Sequence, residues 1–92
     1  MNAERQERVH IAWKLATDRI GEAVAGLPVE TSCHDVISKY APALYGKIED
    51  AEKAAESASV EWLNGGPGGV QAKIDAWAEL WLEAIEMVRL AT

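Results

Sequence analysis

Apolar residues recur along the chain at the spacing of three and four positions that is typical of amphipathic helices. The longest uninterrupted pattern lies at the end of the chain and predicts a helix from Val70 to Ala91, against which the other helices pack. Acidic side chains occupy its opposite side. Its apolar face consists of Val70, Ile74, Trp77, Trp81, Ala84, Ile85, Val88 and Ala91.

A first helix is predicted from Ala3 to Ala25. It ends before Gly26-Leu27-Pro28, because glycine favours a left-handed C-terminal position and proline cannot continue the hydrogen-bond ladder. Two large residues, Ile11 and Leu15, lie off its apolar face and are either exposed or part of a second contact. The apolar face consists of Val9, Ala12, Trp13, Ala16, Ile20, Ala23 and Val24.

The middle of the chain predicts a short helix from Cys33 to about Tyr40 and a long one from Pro42 to about Leu63. Pro42 lacks an amide N–H and clashes with a preceding turn, so we expect a break or kink near Ala41. The long helix has a narrow apolar stripe whose centre is alanine, which allows a neighbouring helix to approach closely. That stripe consists of Leu44, Ile48, Ala51, Ala55, Ala58 and Trp62.

The segment Asn64-Gly65-Gly66-Pro67-Gly68-Gly69 is the strongest turn signal in the sequence. Because it is short, the two long helices that it joins must run antiparallel. The predicted fold is therefore all-α: an up-down-up three-helix bundle with a short extra helix and a proline kink before the second long helix. We expect residues 1–92 to form a single helical-bundle domain.

The charge and composition of the chain argue against several classes of partner and location. The chain has 92 residues and a formal net charge of −6. Nucleic acids and anionic membranes both favour Lys and Arg, so neither is expected as a partner. Cys33 is the single cysteine, which excludes an intrachain disulfide, and no apolar run approaches the roughly 18 residues of a membrane span. The charged N-terminus lacks the apolar core of a signal peptide, and we therefore expect a cytoplasmic protein.

Two short motifs carry side chains that can bind metals. Glu7 and His10 have the Glu-x-x-His spacing of di-iron bundles, but those sites need a second such motif and two further glutamates. Cys33 and His34 are neighbours whose side chains diverge by about 100° on a helix, and no second cysteine completes a tetrahedral site. We therefore predict no metal and no cofactor, and a structural role for Cys33.

Two Glu-x-x-Glu pairs occur on the two longest predicted helices, Glu49 with Glu52 and Glu83 with Glu86. Carboxylates on facing helices can hold Mg²⁺. The pairs resemble those of the all-α nucleotide pyrophosphohydrolases of the MazG kind, which use a Glu-x-x-Glu helix and a Glu-x-x-Asp helix. Here the second pair ends in glutamate, the family's fourth helix is missing, and all four carboxylates project away from the apolar stripes. The alternative function is thus a Mg²⁺-dependent nucleotide pyrophosphohydrolase that uses these carboxylates.

The turn sequence Trp62-Leu63-Asn64-Gly65-Gly66 is similar to the tryptophan and glycine that mark the hairpin turn in the WXG family of small secreted helical-hairpin proteins. The glycine stands one position late here, and an additional helix precedes the hairpin. The family's C-terminal signal, a tyrosine with an acid four residues later, is not found near the end of the chain. This resemblance therefore carries no assignment of function.

Enough apolar residues lie off the predicted stripes to form an interaction surface rimmed by acids. We predict that the chain has no catalytic activity and acts by protein–protein interaction, as an adaptor, an accessory subunit or an inhibitor. The partner would be another protein or a second copy of the chain. The predicted surface consists of Ile11, Leu15, Asp75, Glu79, Leu82, Glu83, Glu86 and Leu90.

The pyrophosphohydrolase alternative predicts that ligands stabilise the chain. A ligand that binds only the native state must raise the melting temperature, so Mg²⁺ with a nucleotide would raise it and the reaction would release pyrophosphate. Thermal melting with and without both ligands, together with a pyrophosphate assay, measures the two effects. An unchanged melting temperature without pyrophosphate release would exclude this alternative.

Overall fold

The fold consists of four helices, α1 (Ala3–Ala25), α2 (Cys33–Tyr40), α3 (Pro42–Leu63) and α4 (Val70–Ala91). The structure is a computed structural model that describes residues 3–27, 33–66 and 68–91, with the side chains of residues 33 and 34 left out. No strand occurs in these ranges, and all four helices have the predicted bounds. The all-α prediction is confirmed.

The contacts of α1 establish the up-down-up order of the three long helices. Arg5 near its start bonds to Trp62 at the end of α3, whereas Trp13 further along bonds to the earlier residue Ser59. Helix α1 is therefore antiparallel to α3. Its first half lies beside the start of α4, and Trp13 contacts Trp77 of that helix, so α1 and α4 run parallel.

One buried cluster joins the apolar faces of all four helices, and α3 and α4 share the most extensive interface. The alanine stripe of α3 is covered as predicted, with Ala55 at 0% exposure. The predicted face of α4 is buried from Val70 to Val88, but Ala91 is exposed. That part of the prediction is wrong, because Ala91 is the last residue of α4 and lies at the end of the bundle.

Ala41 forms the predicted break between α2 and α3, with φ −139° and ψ 57°. Its N–H donates to the Ile37 carbonyl at 2.8 Å, and its own carbonyl accepts from the N–H of Leu44 at 3.0 Å. Because Pro42 begins α3 without an N–H to satisfy, the chain changes direction here without losing a helical donor. The change of direction lets α2 pack against α3 and α4, where Val36 and Ile37 are buried.

The glycine-rich turn ends α3 in a Schellman motif. The N–H of Gly66 donates to the Glu61 carbonyl at 2.7 Å, and that of Gly65 donates to the Trp62 carbonyl at 3.0 Å. Gly65 has φ +88°, and a Cβ on Gly66 would lie 2.7 Å from the Glu61 oxygen. Both positions therefore require glycine, one for its left-handed backbone and the other for the close approach.

Trp13 joins α1 to both other long helices, and we call this contact the tryptophan joint. Its Nε1 donates to the Ser59 hydroxyl at 3.0 Å, and Ser59 donates in turn to the Ala55 carbonyl at 2.8 Å. The rings of Trp13 and Trp77 meet edge to face with centroids 5.1 Å apart, a geometry worth about 0.5–1.5 kcal/mol beyond the buried area. Trp13 is the largest of the partly buried side chains by which α1 packs against the core.

Replacement of Ala55 by leucine tests the close approach of α3 to its neighbours. The larger side chain would overpack a site with no exposed surface, and we expect it to lower the free energy of unfolding by about 1–3 kcal/mol. Ala54 is exposed on the same helix, so Ala54→Leu should change stability by less than about 0.5 kcal/mol. Urea denaturation of both variants measures the difference, and equal stabilities would contradict the packing.

Candidate functional site

A groove with largely apolar walls opens between the first half of α1, the end of α3 and the start of α4, with a volume of about 390 Å³. Ala12 and Val70, both buried, form its floor. Ile11 and Leu15 form its rim and expose 45% and 59% of their surfaces. The groove thus presents two bulky apolar side chains to solvent. The other lining residues are Arg8, Val9, Trp62, Gly68, Gly69 and Gln71.

The helical register explains why these two side chains remain outside the core. At 100° per residue, Leu15 and Ile11 lie about 120° and about 160° from the centre of the apolar face of α1. Their neighbours in sequence, Ala12 and Ala16, are buried with 6% and 3% exposure. Of the two alternatives that the sequence left open for Ile11 and Leu15, the structure shows both side chains exposed on the face opposite the buried alanines.

Arg5 and Trp62 hold one wall of the groove in place. The guanidinium carbon of Arg5 lies 4.0 Å from the centroid of the Trp62 ring, a cation–π contact. Its Nη1 donates to the carbonyl oxygens of Trp62 at 2.9 Å and Gly66 at 3.2 Å, and the Trp62 Nε1 donates to the Arg5 carbonyl at 3.3 Å. Arg5 thereby places a positive charge at the C-terminal end of α3, where the helix dipole favours a cation.

Charged side chains lie next to the apolar groove at the start of α1. A smaller cavity of about 190 Å³ is lined by Glu4, Arg5, Arg8 and Trp62, so Trp62 contributes to both cavities. Arg8 donates to the Glu4 carboxylate at 2.9 Å in an exposed pair one helical turn apart. Exposed pairs of this kind contribute only about 0.3–0.5 kcal/mol, and Arg8 can exchange this partner at little cost.

The acidic ridge, defined as Asp75, Glu79, Glu83 and Glu86, lies on α4 away from the groove. Glu79, Glu83 and Glu86 are exposed and Asp75 is half-buried, accepting a hydrogen bond from Gln71 at 2.9 Å. Arg89 donates hydrogen bonds to Glu86, and these bonds together with its charge hold the pKa of that carboxyl below its usual value. The ridge is therefore partly neutralised at its C-terminal end.

The predicted interaction residues thus divide into two sets. Ile11 and Leu15 meet at the groove, but none of the ridge residues lines it. Leu90 has 73% of its surface exposed beside the ridge, whereas Leu82 is half-buried. The predicted surface is therefore split between the groove rim on α1 and the acidic ridge with Leu90 on α4.

The candidate metal ligands do not converge. Within the described residues, no group of three or more His, Cys, Asp and Glu side chains is close enough to hold a metal ion. The pairs Glu49–Glu52 and Glu83–Glu86 therefore do not form the four-carboxylate site that the pyrophosphohydrolase alternative requires. Glu7 and His10 are both exposed, and the side chains of Cys33 and His34 lie outside the described part of the chain.

Sequence reasoning missed Arg5 and the position of Trp62 in the groove. A signal was available for Arg5, which occupies the same helical face as Val9, Ala12 and Ala16. A charged residue on an apolar face at the start of a helix indicates that its charged group forms hydrogen bonds with a particular acceptor in the fold. The acceptor could not be predicted, because it lies 57 residues later in the chain.

No family model matches the chain, and neither a curated protein nor a solved structure is significantly similar to it. The families that its short motifs resemble are thus not among the matches. Separately, none of the helices in the described ranges is both long enough and apolar enough to cross a membrane.

Replacement of Arg5 tests the wall of the groove. Arg5→Ala removes two hydrogen bonds to carbonyls and a cation–π contact, and we expect it to lower the free energy of unfolding by about 1.5–3 kcal/mol. The free energy of unfolding of Arg5→Lys should lie between those of Arg5→Ala and the native chain, because lysine keeps the charge but lacks the planar guanidinium.

Arg8→Ala is the matched control, since Arg8 is exposed on the same helix and should contribute less than about 0.5 kcal/mol. Urea denaturation measures all three variants, and tryptophan emission reports the surroundings of Trp62. Equal losses from Arg5→Ala and Arg8→Ala would contradict the contact described.

Proposed function

We propose that this protein acts by binding other proteins and has no catalytic activity of its own. The proposed contact is the groove beside α1, with Ile11 and Leu15 as the residues that a partner covers. A role as an adaptor, an accessory subunit or an inhibitor follows from such an activity.

The observation that carries this proposal is the adjacency of two half-exposed aliphatic side chains at the rim of an apolar groove. Single exposed apolar residues are ordinary on protein surfaces, but a pair that continues into a groove forms a larger patch. The rim follows one face of α1 with the spacing of one helical turn, so an amphipathic helix is the partner element that fits it best.

The distribution of charge supports two separate binding surfaces, the groove beside α1 and the acidic ridge on α4. Helix α1 contains four acidic and four basic residues and is neutral, although the whole chain carries −6. A partner at the groove therefore needs no excess of either charge. The acidic ridge on α4 contributes to binding in a second way: it attracts basic proteins at long range and raises their association rate.

The test compares two aliphatic residues of nearly equal exposure, one at the groove and one away from it. Leu15 and Val60 expose 59% and 58% of their surfaces, but Val60 lies on α3 and does not line the groove. Immobilised native chain, Leu15→Glu and Val60→Glu would be used to capture proteins from a lysate of the source cells, followed by quantitative mass spectrometry. We expect Leu15→Glu to reduce the capture of at least one specific protein about tenfold or more, with Val60→Glu unchanged.

A captured second copy of the chain counts as a partner in this comparison. Far-UV circular dichroism confirms that both variants fold, because both sites are exposed. If the native chain and both variants capture the same proteins in equal amounts, the groove is not a binding site and the proposal fails.

A further inference from the structure

A second stripe runs along the outside of α1, distinct from the apolar face that packs on the bundle. All its members are exposed, and they follow one another at intervals of four, three, four, three and four residues. Alternate steps of four and three residues give the seven-residue repeat of a seam between two helices in a coiled coil. The outer strip, as we call it, consists of Glu4, Arg8, Ile11, Leu15, Asp18 and Glu22.

The outer strip is symmetric about residue 13 in a way that suits pairing with itself. If two copies of α1 lie antiparallel, Ile11 of each faces Leu15 of the other, and Arg8 faces Asp18. Beside the strip, Glu7 then faces Arg19, which adds a second pair of opposite charges. The only like-charged pair along the strip is Glu4 with Glu22 at its ends, where solvent screens the repulsion.

We propose that the partner at the groove is a second copy of the chain, bound through the two outer strips in antiparallel orientation. This inference rests on the proposed function, since it uses the same rim residues, and it adds the identity and orientation of the partner.

Charge favours this arrangement over the other ways in which two copies could meet. A parallel pairing would place each Arg8 against the other Arg8 and each Asp18 against the other Asp18. Contacts through α3 or α4 would bring together helices that are both acidic, with net charges of −3 and −2 from their own residues. Among the three long helices, α1 alone is neutral, and its charges pair with opposite charges when two copies lie antiparallel.

The cost of forming the pairs is small. Arg8 is bound to Glu4, and Asp18 to Lys14 at 3.0 Å, but both pairs are exposed and lie within the helix. Exchanging them across an interface breaks no buried contact. A single helix pair covers less area than a standard interface of about 1,600 Å², so we expect a reversible dimer of micromolar or weaker affinity.

The first experiment is sedimentation equilibrium over a range of concentrations up to about a millimolar, a range that spans weak association. The native chain should change from a 10.0 kDa monomer toward twice that mass as concentration rises. Leu15→Glu should lower the association constant by about tenfold or more, because the dimer contains two copies of the substituted site. Val60→Glu adds the same charge elsewhere and should change the constant by less than about twofold.

The second experiment tests the orientation by exchanging charges. Arg8→Glu alone places two pairs of acids across the antiparallel seam, and Asp18→Arg alone places two pairs of bases there. Each variant should lose about tenfold in self-association, since two exposed ion pairs become repulsive. In an equimolar mixture, the mixed dimer has opposite charges at both of these contacts, so it should form at least as well as the native dimer does.

The outcomes separate this inference from the proposed function. A native chain that stays monomeric at a millimolar excludes the second copy, while capture that depends on Leu15 still supports binding of another protein. Dimers that form equally well with Leu15→Glu, or variants that associate no better mixed than alone, contradict the antiparallel pairing. If the captured proteins also do not depend on Leu15, both proposals fail.

Discussion

The tryptophan joint determines how the rest of the structure is arranged. The sequence contains no phenylalanine, and Trp13 is the largest side chain by which α1 packs against the α3–α4 hairpin. Trp13 forms a hydrogen bond to α3 and an edge-to-face contact with α4. A rotation of α1 about its axis would break both contacts, and the joint thereby decides which face of α1 reaches solvent.

The outward face follows from how the helix is packed. Helix α1 comes close to its neighbours at its buried alanines, and side chains on the opposite face do not reach the core. Ile11 and Leu15, each next to a buried alanine in sequence, are therefore left at the surface. The groove rim and the outer strip both lie on this outward face of α1.

The fold could be predicted from the sequence because the residues that end its helices act strongly and locally. Pro42 and the glycine run mark helix ends through constraints that act within a few residues, and the apolar stripes then leave one arrangement for the long helices. The groove depends instead on contacts between distant residues, such as Arg5 with Trp62. Leu82 lies at the edge of the apolar face of α4. Whether such a residue is covered depends on the angle between helices, which sequence spacing does not specify.

On α1 the residues that stabilise the fold are separate from those of the outer strip, so binding and stability can change independently. Residues that hold the helix in place, such as Trp13 and Ala16, alternate with strip residues such as Leu15 that no other described helix covers. A change in the strip therefore alters association with little effect on folding, whereas a change in the joint alters both. In an antiparallel dimer the acids of α3 and α4 would remain outside and their charge would be doubled. Pairing through the neutral helix would thus strengthen the field that attracts a basic third protein, so self-association and partner binding would support each other.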